Sequence, residues 1–142
     1  MFRSKKYNIV FLALTLGVPF SIFKIIGGRV IVREFGIFGY FLICVGIIDL
    51  LLNLCRSFQA YGIFSGKVSY CFFSTIGNIF SKEEFFLGID TLFSFFIVVI
   101  FLWSNLITKL TSTENFFWVS AVTVNVLAVG FTQLWCAYHL RD

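Results

Sequence analysis

Residues 35–55 read FGIFGYFLICVGIIDLLLNLC, a run in which Asp49 is the only charged side chain. A bilayer core about 30 Å thick takes roughly 20 apolar residues per helical crossing. This run has that length and is apolar on nearly every face, the pattern of a spanning helix. Strands of a membrane barrel would be shorter and would alternate polar with apolar residues. Three more runs qualify, at 7–27, 85–107 and 116–140. The sequence therefore predicts an all-α integral membrane protein, a bundle of four transmembrane helices forming a single domain over 1–142.

Composition agrees. The chain has 142 residues, 59% hydrophobic and 13% charged, with a mean hydropathy of +0.96. Soluble domains carry roughly a quarter charged residues, and a small soluble fold cannot hide this much apolar surface. The lipid bilayer is the expected surrounding partner. The basic start (Arg3, Lys5, Lys6) resembles a signal peptide, but the apolar stretch behind it is too long and no small-x-small cleavage site follows. An uncleaved first helix is expected, kinked at Pro19, with Lys24 near its far end reaching to the interface.

With the N-terminus in the cytoplasm, Arg3, Lys5, Lys6, Arg56, Lys67, Lys82 and Arg141 lie inside. Lys24, Arg29, Arg33 and Lys109 then lie outside. Seven against four places both termini in the cytoplasm under the positive-inside rule. No clustered basic face calls for nucleic acid. Between the second and third runs, residues 68–80 (VSYCFFSTIGNIF) are apolar but too short to cross. They read first as a helix lying on the headgroups and second as a re-entrant piece.

Charges inside a bilayer cost several kcal/mol and face a bundle interior or a wet cavity. Asp49 lies six residues before the end of its run and Asp90 five after the start of the next, so both sit about 8–9 Å from the same boundary. Gly39, Gly46, Asp49, Asn53 and Arg56 share one helical face. Asp90, Ser94 and Ser104 line another; Ala121, Asn125, Ala128, Thr132 and Cys136 line a third. Small residues allow close helix contact and polar ones bond across it. The expected polar layer is Asp49, Asn53, Arg56, Asp90, Ser94, Asn125, Thr132 and Gln133. In one reading Arg56 pairs with an aspartate and the layer fixes helix register. In the other, the two carboxylates share a proton or hold a cation.

Catalytic sets are missing from the sequence. His139 is the only histidine, which excludes bis-histidine haem ligation within one chain and argues against a histidine-rich metal site. Cys44, Cys55, Cys71 and Cys136 form no C-x-x-C pair. No G-x-S-x-G, P-loop or H-E-x-x-H occurs, so neither an enzyme nor a cofactor is expected. Trp103, Trp118 and Trp135, with Tyr7, Tyr40 and Tyr138, read as interfacial anchors.

The strings GIIDLLLNL (46–54), GIDTLFSFFIV (88–98) and WVSAVTVNVLAVG (118–130) resemble a pattern in small uncharacterised bacterial four-helix inner-membrane proteins. The resemblance implies a bacterial inner membrane and brings no activity with it. The expected role is a non-enzymatic membrane subunit, homo-oligomeric or part of a larger complex. The alternative is an oligomeric proton- or cation-coupled channel or transporter using Asp49 and Asp90.

Overall fold

Pro19 has no N–H to give to the preceding turn. In the computed structural model the chain meets this with a π-helical turn, Ala13–Gly17, directly ahead of helix α1, Val18–Phe35. The structure describes residues 10–11, 13–63 and 68–139, without the side chains of 132, 133 and 135–139. Among these, helix α2 is Phe38–Ala60, a short helix α3 is Phe72–Ile79, and α4 is Glu83–Trp103. A 3₁₀ turn, Leu106–Lys109, leads to α5, Ser112–His139. The protein is an all-α bundle, and four helical segments are long and apolar enough to cross a membrane.

Helix α1 is the centre of the bundle: 50% of its most apolar window is buried, against 33%, 22% and 28% for α2, α4 and α5. It packs against all three of those helices. Its closest neighbour is α2, and glycine sets the distance. A Cβ on Gly39 would fall 2.3 Å from the Gly28 carbonyl oxygen, and one on Gly46 would fall 3.0 Å from Ile25 N. The expected small-residue stripe on α2 is thus the contact face.

Gly28 also explains a boundary that the sequence misplaces. The Gly27–Gly28–Arg29 break in the apolar run suggests that the first helix stops at 27. The helix instead continues to Phe35, because Gly27 and Gly28 are buried against neighbouring helices and need no turn. Helix α2 likewise extends past the apolar run to Ala60, carrying Arg56, Ser57 and Gln59 in its last turns. The consequence for the site is large. Lys24 and Asp49 each stand at the midpoint of a helical span, Ala13–Phe35 and Phe38–Ala60.

At the α1 C-terminal end the core is aromatic. Phe23, Phe101 and Trp118 are 2%, 0% and 3% exposed, with Trp118 5.0 Å from Phe23 and stacked on Phe101 at 4.7 Å between ring centroids. Trp118 is therefore a core residue and not the interfacial anchor expected. Trp103, exposed at the end of α4, does have an anchor's position. The same end is tied by charge. Arg33 Nη2 donates to Glu114 Oε2 at 2.8 Å, and Arg29 Nε lies 3.2 Å from Oε1 without hydrogen-bond alignment. Thr111 and Glu114 form a capping box at the start of α5, Thr111 N donating to Glu114 Oε2 at 3.0 Å and Glu114 N to Thr111 Oγ1 at 3.3 Å. Lys109 Nζ pairs with Glu34 Oε2 at 2.6 Å.

Candidate functional site

The midpoint position of Lys24 puts its ammonium between the carboxylates of two other helices. Lys24 Nζ donates to Asp49 Oδ2 on α2 and, at 2.5 Å, to Asp90 Oδ1 on α4. Lys24 is 0% exposed, Asp49 2% and Asp90 4%. The side chain does not run to an interface, as expected from a helix ending at 27. With about three more turns of helix beyond it, the interface is out of reach, and the two acids are the available partners.

The shell around the triad is built from two short segments. Asn53 Nδ2 donates to the Asp49 carbonyl at 2.8 Å, and the Asn53 side chain lies so close to Gly17 that a Cβ there would come within 1.9 Å of Oδ1. A side chain at Gly17 would force Asn53 to move from this position. From the other side, Phe72 N–H at the start of α3 donates to Asp49 Oδ1 at 2.6 Å. Cys71, the N-cap of α3, is 4% exposed, and its sulfur lies with carboxylate oxygens of Asp49 and Asp90 inside a 4.8 Å circle. Burial pushes the Cys71 thiol up to about 12, with the Asp90 charge adding to the effect. The thiol is a neutral wall, and the ammonium already occupies the place a cation would take. Lys24 Nζ also lies 5.9 Å from the Phe73 ring centroid.

Among the expected site residues, Asp49, Asn53 and Asp90 belong to this centre. Ser94 is fully buried beside it on α4, its hydroxyl donating to the Asp90 carbonyl at 2.9 Å. Arg56 pairs with neither aspartate. It lies two turns further along α2 with its guanidinium 3.1 Å from the Tyr70 ring centroid, and its buried Nη1 has no hydrogen-bond partner among the described residues. Ser104 is exposed at the end of α4. Asn125 is buried on the inner face of α5, and its Nδ2 too has no partner among the described residues. Thr132 and Gln133 lie outside the described side chains. The depth also differs from expectation: Asp49 is eleven residues from the α2 terminus at Ala60, about 16 Å along the axis and not 9.

Lys24, Cys71 and the Phe72 amide are the components that sequence reading missed. Lys24 had a signal: two intramembrane acids need a base, and it is the only lysine or arginine inside an apolar run. The chain matches no family model, no curated protein and no solved structure. Its chemistry is accordingly argued from the triad alone.

Charge arithmetic shows what the triad can do. Two carboxylates against one ammonium leave one formal negative charge in a region with little water. Asp49 has a donor on each oxygen; among the described residues Asp90 has one, on Oδ1. An enclosed, uncompensated charge costs several kcal/mol. The arrangement suits a permanent three-helix tie, and it has room electrostatically for one further positive charge.

Proposed function

We propose that the chain is a non-enzymatic multi-pass subunit of a bacterial inner membrane, acting by assembly with copies of itself or within a larger membrane complex. The observation that carries this reading is the saturation of Lys24 by acids from two other helices. An ammonium enclosed in this way holds α1, α2 and α4 in one register, and breaking one partner of such a pair costs about 3–5 kcal/mol. The bundle so fixed presents long apolar faces on α2 and α4, including Phe41, Leu51, Leu92 and Phe96, to lipid or to neighbouring subunits. Both termini are assigned to the cytoplasm. With Lys24 removed from the loop count, Arg29, Arg33 and Lys109 remain on the opposite side, and their charge is offset by Glu34 and Glu114.

The formal negative charge left on the triad favours a second reading, an oligomeric channel or transporter that couples to a proton or small cation at Asp49 and Asp90. One experiment separates the two. Asp49→Asn and Asp90→Asn chains are assayed for assembly in detergent and for ion flux in liposomes. Lost assembly with no flux in the parent supports the subunit reading. Lost flux with assembly intact supports coupling. Indifference of both readouts to both substitutions defeats the triad as the basis of either.

A further inference from the structure

The short helix α3 is joined to its neighbours very unevenly. Against α4 it is packed tightly: a Cβ on Gly77 would meet Phe86 Cβ at 2.8 Å, Lys82 N donates to the Gly77 carbonyl at 2.8 Å, and Ser74 Oγ donates to Glu83 Oε1 at 3.2 Å. The turn between them is fixed by Ser81 at φ 55°. Against α2, among the described residues, it is tied by one hydrogen bond, Phe72 N–H to Asp49 Oδ1, and just ahead of it by Tyr70, whose ring lies on Arg56. The acceptor of that bond is an atom of the ion triad. Thr75, Asn78 and Ile79 are exposed, so one face of α3 is open, while Ser74 and Gly77 are buried on the other. Cys71 and Phe72 lie against the carboxylates of the triad, the sulfur within 4.8 Å of an oxygen of each aspartate and the Phe72 amide on Asp49.

The strength of the anchor depends on the charge of its acceptor. Hydrogen bonds to an ionised carboxylate are roughly twice as strong as neutral ones, and the exposed amides and dipole of a helix N-terminus add to the attraction for an anion. Anything that neutralises Asp49 weakens the hold on α3. By reciprocity, anything that lifts α3 weakens Asp49's stabilisation as an anion.

We propose that α3 is a hinged cap over the Lys24–Asp49–Asp90 triad, anchored by the charge on Asp49, and that losing this anchor swings Cys71 and Phe72 away and admits water to the triad. The cap is independent of whether the triad serves assembly or ion coupling, since either reading leaves Asp49 as its anchor.

The test uses the full chain in liposomes with Cys71 as its only cysteine (Cys44→Ala, Cys55→Ala, Cys136→Ala). Alkylation of Cys71 by a small maleimide and acylation of Lys24 by a water-soluble amine reagent are followed by mass spectrometry. Asp49→Asn is expected to speed Cys71 alkylation about tenfold or more, the worth of one charge-assisted hydrogen bond. Asp90→Asn, which leaves the anchor in place but removes a charge acting on the Cys71 thiol, is expected to stay within about threefold of the parent once each rate is divided by its variant's measured thiolate fraction. Gly77→Ala pushes α3 off Phe86 with the triad untouched; it is expected to speed both Cys71 alkylation and Lys24 acylation, and it decides the matter if Asp49→Asn does not fold. Equal acceleration by the two aspartate variants overturns the proposal, because it signals general loosening. So does a Gly77→Ala chain in which Cys71 reacts faster while Lys24 stays protected, or one in which neither reacts faster.

Discussion

Lys24 and Asp49 stand at the midpoints of their helical spans and bond each other directly, Nζ to Oδ2, with almost no solvent contact to either. Asp90 completes the pairing from a third helix. Three helices are thus held by one ammonium, and removing it should matter more than removing any surface charge.

Lys24→Met removes the ammonium and strands two carboxylates. The expected loss is about 3–5 kcal/mol, read as a lower midpoint of unfolding in a detergent titration. Adding Asp49→Asn and Asp90→Asn to Lys24→Met should recover much of that loss, since the triple variant buries no charge. A triple variant no more stable than Lys24→Met would show that packing of the lysine stem, and not charge balance, dominates.

Gly39→Val places a Cβ 2.3 Å from the Gly28 carbonyl oxygen, backbone that cannot rotate away. Helices α1 and α2 must separate, at a cost of at least about 1–3 kcal/mol. Gly130→Val, whose Cβ meets nothing, is the matched control and should leave thermal stability nearly unchanged.

Trp118→Ala should destabilise by about 3–5 kcal/mol, as expected for emptying an aromatic core position, because Trp118 stacks on Phe101 and packs against Phe23. Trp103→Ala, at the exposed end of α4, should cost far less. Similar losses for the two would return Trp118 to the role of an interfacial anchor. Thermal unfolding monitored by circular dichroism reads the difference.

The Cys71 thiol gives a pH dependence. Its ordinary value of 9.0 rises to about 12 in the folded chain, so the unfolded chain releases the proton first. Stability contributed by the neutral thiol is complete below pH 9 and is lost as pH rises from there toward 12. Cys71→Ala should flatten the decline of unfolding midpoint over that alkaline range.

The four-helix architecture was legible because length and apolarity suffice to recognise a spanning helix. The ends were not, because helices of this kind run past their apolar windows: α1 continues through Gly27 and Gly28, and α2 through Arg56 to Ala60. That error carried into the site. Asp49 and Asp90 were recognisable as a pair, since charge within an apolar run is conspicuous. Lys24 was assigned to an interface by an endpoint eight residues too early, and Arg56 took its place as the expected partner. The Phe72 amide leaves no trace in residue type at all; a backbone donor is visible only once the fold places it. Trp118 was misread for a similar reason, as proximity to a helix end says nothing about which face it occupies.

The central lysine also constrains how the protein is made. A lone lysine at the middle of a first span resists partition into lipid by about 2.5–3.5 kcal/mol. Its first acid follows 25 residues later, within the next helix, and its second only after 66. The first helix therefore gains by waiting at the insertion machinery until the second has emerged, and the glycine-lined contact at Gly28 and Gly39 lets the two leave together as a hairpin. The last acid arrives afterwards, so the charge of Lys24 is balanced by Asp49 before Asp90 brings in the formal negative charge.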